Sequence, residues 1–347
     1  MNICFLLNDL ASEKCGTSVV LMKKAVERGH AVFVMDVGDF YFSSKESMNL
    51  HVRVISSELP TSTGPEFLEA LKGDLEIRTL AAGDLDVLFI RNNPTEENRD
   101  RQWAEQPGIA FGRMIQRQGV IVLNDAYALS HAFIDKLYFE ELPQEIKPRS
   151  IITRRKEDVL AFYEEMGKQM VLKPLEGSGG QGVFLIDENE PNLNQILDTL
   201  RADGYIIAQE FLPAAGEGDV RVVLMNGRLL VEDGMPAMIR RKGAEGEFRN
   251  NISVGGSSSL AEMTPAIEHI INITAPKLIR DGLFFAGLDV VDDKLIEINV
   301  LSPGGLETFE ELGGPQFTTT VIEAIERKVR YKKIYPTTPN EVLATME

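Results

Sequence analysis

Apolar and polar positions along this chain repeat at two spacings, and the switches between them mark its elements. Residues 3–7 are a short apolar run, residues 17–28 repeat apolar positions at helical spacing, and 31–36 are apolar again after Gly29-His30. A strand, a helix and a strand with short joints predict a parallel βαβ unit. Further strands are predicted at 85–90 and 120–123, so an open parallel-sheet, Rossmann-like α/β domain ends near 123. Then come a helix at 124–141 closed by Leu142-Pro143, a strand start at 148–152, a helix at 155–167 and strands at 170–175 and 206–213. The clearest hairpin spans 219–230, where Asn226-Gly227 is the dipeptide of a type I′ turn. A helix at 264–281 leads into two apolar strands over 284–300, joined at Asp292-Asp293. The tail from 331 is polar and proline-containing and reads as peripheral.

Polar residues that interrupt these apolar runs are the candidates for chemistry. Asp289, Glu297 and Asn299 interrupt the last pair of strands. Alternate residues of a strand share a face, so Glu297 and Asn299 point the same way, with Asp289 in reach on the neighbouring strand. Two carboxylates and an amide carbonyl are the oxygen donors that Mg²⁺ takes together with nucleotide phosphates. The plain alternative is a hairpin whose polar residues face water. Lys173 lies on a strand that runs into Gly177, Ser178, Gly179, Gly180, Gln181 and Gly182. Glycine lets backbone N–H groups turn toward anionic oxygens, and the lysine adds a mobile positive charge. It is not a Walker A loop, because the lysine precedes the glycines. Gln209-Glu210-Phe211-Leu212 ends a strand whose backbone groups suit an adenine edge. Arg221 is the one charge within an apolar strand and needs an anion. Arg240, Arg241, Lys242 and Arg249 form a basic, glycine-containing stretch in an acidic protein. Arg91 follows a strand directly, where its fork suits a carboxylate, or else is a surface arginine. The first loop, at 8–18, lacks a full G-x-G-x-x-G pattern, which argues against a strict dinucleotide fold.

Composition narrows the partners. With 347 residues, 44% hydrophobic and 26% charged, the chain is long enough for two or three globular units. A formal charge of −17 argues against nucleic acid or an anionic membrane as the main partner. Two cysteines, Cys4 and Cys15, make no disulfide framework. No apolar segment reaches the roughly 18 residues of a membrane span. Without a basic n-region or cleavage signal, the expected location is cytoplasmic.

The order of these features resembles the ATP-grasp superfamily and, within it, bacterial-type glutathione synthetase. The resemblance is carried by Val171-Leu172-Lys173-Pro174-Leu175-Glu176-Gly177-Ser178-Gly179-Gly180, Ala208-Gln209-Glu210-Phe211-Leu212-Pro213, Gly218-Asp219-Val220-Arg221-Val222, Phe248-Arg249-Asn250-Asn251, Gly287-Leu288-Asp289 and Glu297-Ile298-Asn299-Val300. Met35-Asp36-Val37-Gly38-Asp39-Phe40-Tyr41 and the helix with Lys136 extend it over residues 1–330. It implies an ATP-grasp fold with a substrate-binding domain at 1–123, a central lid domain at 124–205, a catalytic domain at 206–330 and a tail at 331–347.

The resemblance further implies roles. Lys136 and Lys173 would contact the ATP phosphates under the Gly177–Gly182 loop; Glu210 and Leu212 would hold adenine, and Glu217 the ribose. Asp289, Glu297 and Asn299 would hold two Mg²⁺ ions, with Mn²⁺ as an alternative. Arg221 would stabilise the transferring phosphoryl group, Arg249 and Asn250 would sit at the reacting centre, and Arg91 would bind the glutamyl end of the peptide. Ser302-Pro303-Gly304-Gly305 would receive the amine. The implied reaction joins γ-glutamylcysteine to glycine through an acyl-phosphate, in a homo-oligomer, a tetramer by the family's pattern. Two segments depart from that pattern. Gly304-Gly305 stands where well-known members read Thr-Cys, and Asn92-Asn93-Pro94 replaces a charged, proline-paired stretch. Another acid or amine, or a non-catalytic ATP-binding protein, are the alternatives; Arg221 with all three metal ligands argues against the last.

Overall fold

A computed structural model of the chain describes residues 1–43, 48–59, 62–97, 99–177, 181–243 and 256–347. It opens as the apolar rhythm predicts: β1 (Asn2–Leu7), α1 (Thr17–Glu27) and β2 (Ala31–Asp36) form the parallel unit. The apolar pattern predicts a loop at 37–41 and no element over 42–84, and here the sheet turns antiparallel. β3 (Phe40–Phe42), β4 (Met48–Ile55), α2 (Gly64–Leu71) and β5 (Ile77–Ala81) follow, with β4 pairing β2, β3 and β5. β6 (Val87–Ile90), α3 (Pro107–Arg117) and β7 (Ile121–Leu123) return to the parallel pattern. The expected open parallel sheet is present as the core β2-β1-β6-β7, and it carries an antiparallel flank.

The helix expected at 124–141 is broken in two. α4 (Ala126–His131) is capped by the Asp125 carboxylate, which accepts from Tyr127 N at 2.9 Å and Ala128 N at 3.0 Å. Ile134 is extended (φ −100°, ψ 92°), and α5 (Asp135–Glu140) starts afresh. The break buries Tyr138 and Phe139 while Lys136 reaches Pro174 O and Gly177 O, at 2.8 and 3.0 Å.

A second sheet comprises β8 (Ser150–Thr153), β9 (Met170–Pro174), β10 (Phe184–Ile186) and β11 (Ile206–Glu210), in the order β10-β9-β11-β8. Two helices, α6 (Lys156–Glu165) and α7 (Leu193–Asp203), cover it around Val159, Leu172, Leu197 and Ala208. The boundary read at 205 thus falls too early. β11 is an interior strand of this sheet, and its Ile206 and Ala208 complete the core there.

The third sheet is antiparallel. β12 (Asp219–Met225) and β13 (Arg228–Leu229) meet at Asn226-Gly227, whose φ values of 55° and 70° make the expected type I′ turn. A Cβ on Gly227 would lie 2.3 Å from Ile279, so only glycine fits there. The small pair β14 (Val231–Glu232) and β15 (Met235–Pro236) leads to β16 (Met238–Lys242) and β17 (Ser257–Leu260). After α8 (Pro265–Arg280), β18 (Phe285–Val291) and β19 (Lys294–Asn299) turn at Asp292-Asp293, as read from the sequence. The order is β17-β16-β12-β18-β19. Asn124 fastens this sheet to the first. Its amide donates to Phe285 O at 2.8 Å and Val300 O at 2.6 Å and accepts from Phe285 N at 2.8 Å.

The tail is not peripheral. α9 (Leu306–Glu311), α10 (Phe317–Ile334) and α11 (Asn340–Thr345) close the chain. Asn340 exchanges hydrogen bonds with Val122, at 2.8 and 2.9 Å, satisfying backbone groups on the open side of edge strand β7. Leu343 and Ala344 are fully buried. Among the described residues no helix is long and apolar enough to cross a membrane.

Lys328 of α10 is fully buried, with its ammonium on Asn226 Oδ1 at 2.8 Å, Met346 O at 2.6 Å and the Phe284 ring. Burial pushes it down from 10.5 to about 7, with Arg327 adding to the shift and Glu347 opposing it. Between these values the unfolded chain holds a proton that the folded chain has released, so this residue makes stability rise with pH across that window. Urea unfolding at a series of pH values from 7 to 10 should show the rise. The Lys328→Met variant should show a flatter dependence over the same range.

Candidate active site

Cross-strand register assembles the core of the site. Arg221 of β12 pairs with Asp289 of β18, and Asp289 pairs with Glu297 of β19; Gly287 pairs with Asn299. Paired residues share a face, so Asp289, Glu297 and Asn299 lie on one side of the sheet, and the register adds Arg221 to them. A Cβ on Gly287 would lie 3.2 Å from Arg221 Cδ, so the missing side chain lets the arginine lie flat across the strand.

Asp289 is the most heavily bonded member. Its oxygens accept from Arg221 Nε, from Arg221 Nη2 at 2.9 Å and from Asn299 Nδ2 at 3.3 Å, and Arg241 Nη2 lies 3.0 Å away. Arg241 also makes a two-point pair with Asp219, at 2.7 and 2.9 Å. Burial alone would raise the Asp289 carboxyl, yet the guanidinium groups of Arg221 and Arg241 hold it well below the usual carboxylate range. Asp219 goes the other way, to about 6, through burial and the neighbouring charge of Asp289, against the pull of Arg241.

Sequence reasoning named Arg241 only as part of a basic stretch and gave Asp219 no role. Asp219 and Arg221 alternate on β12, and that i, i+2 spacing of opposite charges was the available signal. Arg241 sits opposite Asp219 across the β12–β16 pairing, which the sequence does not reveal.

A second cluster lines a cavity beside this row. Lys136 and Asp135 of α5, Lys173 of β9, Gln209 of β11 and Glu297 of β19 surround it, with Glu140 and apolar side chains such as Ile207. Lys173 pairs with Ile207 across β9 and β11, which turns Lys173 and Gln209 to the same face. Burial depresses both lysines, and for Lys136 the nearby Lys173 adds to the effect. Asp135 is raised to about 6, by burial first and then by Glu297. Among the described residues Glu297 has no lysine or arginine within ion-pair distance. Two buried ammonium groups and a carboxylate free of ion pairs suit a polyphosphate with its cation.

The remaining expected residues are spread more widely. Gly177 begins the loop and is tied to Lys136 through its carbonyl. Gln181 and Gly182 are exposed, and Phe211 and Leu212 are half-buried at the end of β11. Glu210 accepts from Arg149 N at 3.0 Å. Glu217 is exposed, with Lys242 at 3.8 Å. Ser178, Gly179, Gly180, Arg249 and Asn250 lie outside the described residues. The turn at 302–305 is held from two sides: Pro303 O accepts from Arg91 Nη2 at 2.8 Å, and Gly304 O from Arg221 Nη1 at 3.1 Å. Among the described residues no group of three or more His, Cys, Asp or Glu could hold a metal ion, and the candidate set has two carboxylates with an amide.

Comparison with known proteins accounts for nearly the whole chain. Residues 1–129 match the N-terminal domain of prokaryotic glutathione synthetase, and residues 135–314 match its ATP-grasp domain. The glutathione synthetase of Vibrio parahaemolyticus is 30% identical over 319 residues, 91% of this chain and 94% of the relative. That of Thermosynechococcus vestitus is 31% identical over 330 residues, 93% of this chain and 98% of the relative. Among solved structures, the ATP-grasp ligase PsnB complexed with a phosphomimetic variant of its minimal precursor, Mg and ADP aligns at a TM-score of 0.59. It has 16% identity and covers 94% of this chain and 98% of that one. The D-alanine–D-alanine ligase from Bacillus anthracis, complexed with ATP, aligns at 0.54 with 13% identity, covering 96% and 99%. With both domain models matched in order and relatives aligned nearly end to end, the chain belongs to the prokaryotic glutathione synthetase family, ATP-dependent carboxylate–amine ligases of the ATP-grasp fold.

Proposed function

We propose that this chain ligates γ-glutamylcysteine to glycine, with ATP activating the peptide's C-terminal carboxylate. A carboxylate oxygen takes the γ-phosphoryl group and ADP leaves; the amine nitrogen then forms the C–N bond as phosphate departs. One observation carries this reading for the residues. Arg221 is bonded to Asp289 on one side and to the turn carbonyl of Gly304 on the other, beside the cavity of Lys136, Lys173 and Glu297.

Phosphoryl transfer asks for positioning and charge neutralisation rather than a protein nucleophile. Lys136 and Lys173 neutralise phosphate oxygens; burial depresses the basicity of both, and the nearby Lys173 adds to the effect at Lys136. Glu297, Asn299 and Asp289 would hold Mg²⁺, two ions in our reading, and the metal's charge would offset that of the phosphates. Gln209, Glu210 and Leu212 lie along the strand end that would meet the base. Arg221, held on Gly304 O, would face the developing negative charge of the acyl-phosphate, with Arg241 behind it on Asp289. The N–H groups of Gly304 and Gly305 are donors for the carboxylate of the amine.

Purified protein with Mg²⁺, ATP and γ-glutamylcysteine should release ADP and form glutathione once glycine is added, read by coupled assay and product mass. Peptide-dependent ADP release without a response to glycine would overturn the amine; no ADP release would overturn the ligase assignment for this acid. Glu297→Gln should lower kcat by about 10²-fold or more while circular dichroism and the melting temperature stay unchanged. Lys173→Met removes one of two crowded cations. It should raise the melting temperature of the nucleotide-free protein by ~1–3 °C and abolish the further rise that ATP gives the parent protein.

A further inference from the structure

Arg91, expected from the family resemblance to bind the glutamyl end of the peptide, has partners within the protein instead. It is 4% exposed, follows β6 directly, and lies 5.6 Å from the Phe89 ring centroid and 5.9 Å from that of Phe285. The edge of a guanidinium that clasps a carboxylate side-on is its Nε–H and Nη2–H, the edge Arg221 turns to Asp289. In Arg91 both of these donors are committed within the protein. Nε donates to Ser18 Oγ at 3.1 Å, and Nη2 donates to Pro303 O at 2.8 Å.

Among the described residues no carboxylate lies within ion-pair distance of Arg91. Burial lowers it to about 10, and Glu13, Glu307 and Glu96 oppose that shift only from longer range. Keeping a guanidinium in so dry a place is costly, and what it secures there is the turn at 302–305.

The consequence for the turn follows from peptide geometry. In a trans peptide the C=O of one residue and the N–H of the next point opposite ways. Pro303 O faces Arg91 and Gly304 O faces Arg221, so the N–H groups of Gly304 and Gly305 are directed away from the two arginines. Neither N–H has a hydrogen-bond partner among the described residues, and neither glycine has a side chain to screen it. Arg91 comes from the first sheet and Arg221 from the third, and the two sheets share one core, so their packing fixes the aim of these donors.

We propose that Arg91 is a positioning residue: braced by Ser18, it holds the Pro303 carbonyl and thereby aims the turn that receives the amine. This rests on the reading of that turn given above. Arg91→Lys, Ser18→Ala and the double variant test it through separate KM and kcat values for both substrates. Hydrogen exchange of the Leu306 amide, which donates to Thr17 Oγ1 at 3.0 Å directly beyond the turn, supplies a second readout in the nucleotide-free proteins.

The expected result is a KM for γ-glutamylcysteine within about threefold of the parent's, with kcat for Arg91→Lys down by about 10²-fold and the KM for glycine raised. Ser18→Ala should move the same constants the same way by less, and the double variant should be no worse than Arg91→Lys, as expected for one shared contact. Exchange at Leu306 should quicken in both single variants. A 10²-fold rise in KM for the peptide with unchanged exchange would overturn the proposal and restore Arg91 as a direct ligand. Unchanged exchange together with unchanged constants would overturn it as well. Should the parent protein form no product with glycine, the functional reading fails, while exchange at Leu306 still decides the tether because it needs no substrate.

Discussion

The buried carboxylate of Asp289, shared between Arg221 and Arg241, is the interaction on which the site depends. An unpaired carboxylate at 3% exposure would be expensive, and two guanidinium groups there would be more so without it. Removing one partner of such a pair typically costs about 3–5 kcal/mol, since the other is left buried and uncompensated. The same bonds that neutralise these charges also fix geometry. They run from Asp219 through Arg241, Asp289 and Arg221 to the carbonyl of Gly304, joining β16, β12 and β18 to the turn beyond β19. Electrostatic compensation and the placing of the turn are here one set of contacts.

The lysine cluster shows the complementary condition. Lys136 and Lys173 approach each other from α5 and β9 with only partial compensation from Asp135, Glu140 and Glu297. Neither lysine makes an ion pair among the described residues, an arrangement that suits an anionic ligand. One half of the site is internally paired, and the other holds two lysines and Glu297 free of ion pairs. That division suits a ligase, which must aim its acyl donor and amine firmly while admitting and releasing a nucleotide.

What could be read in advance followed from short-range rules. The hairpin at Asp292-Asp293 and the type I′ turn at Asn226-Gly227 were legible because period-2 alternation and turn chemistry are local. The shared face of Glu297 and Asn299 followed from the same alternation. What escaped the sequence reading depended on packing. β11 belongs to the second sheet because it pairs with β8 and β9, and no local pattern distinguishes that from an adjoining domain. The helix at 124–141 breaks so that Lys136 can reach Pro174 and Gly177, an interaction with a strand some forty residues away. The tail looked peripheral since its polar residues are many, yet Asn340 is needed by the open edge of β7.

Arg91 marks the limit between the two kinds of information most clearly. An arginine immediately after a strand has the right chemistry for a carboxylate, and sequence can say no more, because donor geometry is the same whichever acceptor it meets. Folding brings Ser18 and Pro303 to that fork, from positions far apart in the chain. Residue types, local alternation and turn signals by themselves determined that this chain carries oxygen donors, phosphate-seeking lysines and anion-seeking arginines on strands and loops of an α/β protein. Tertiary structure alone decided which charges neutralise one another and which are left for a ligand, because compensation between buried groups depends on ångström-scale separations that the packing of three sheets sets.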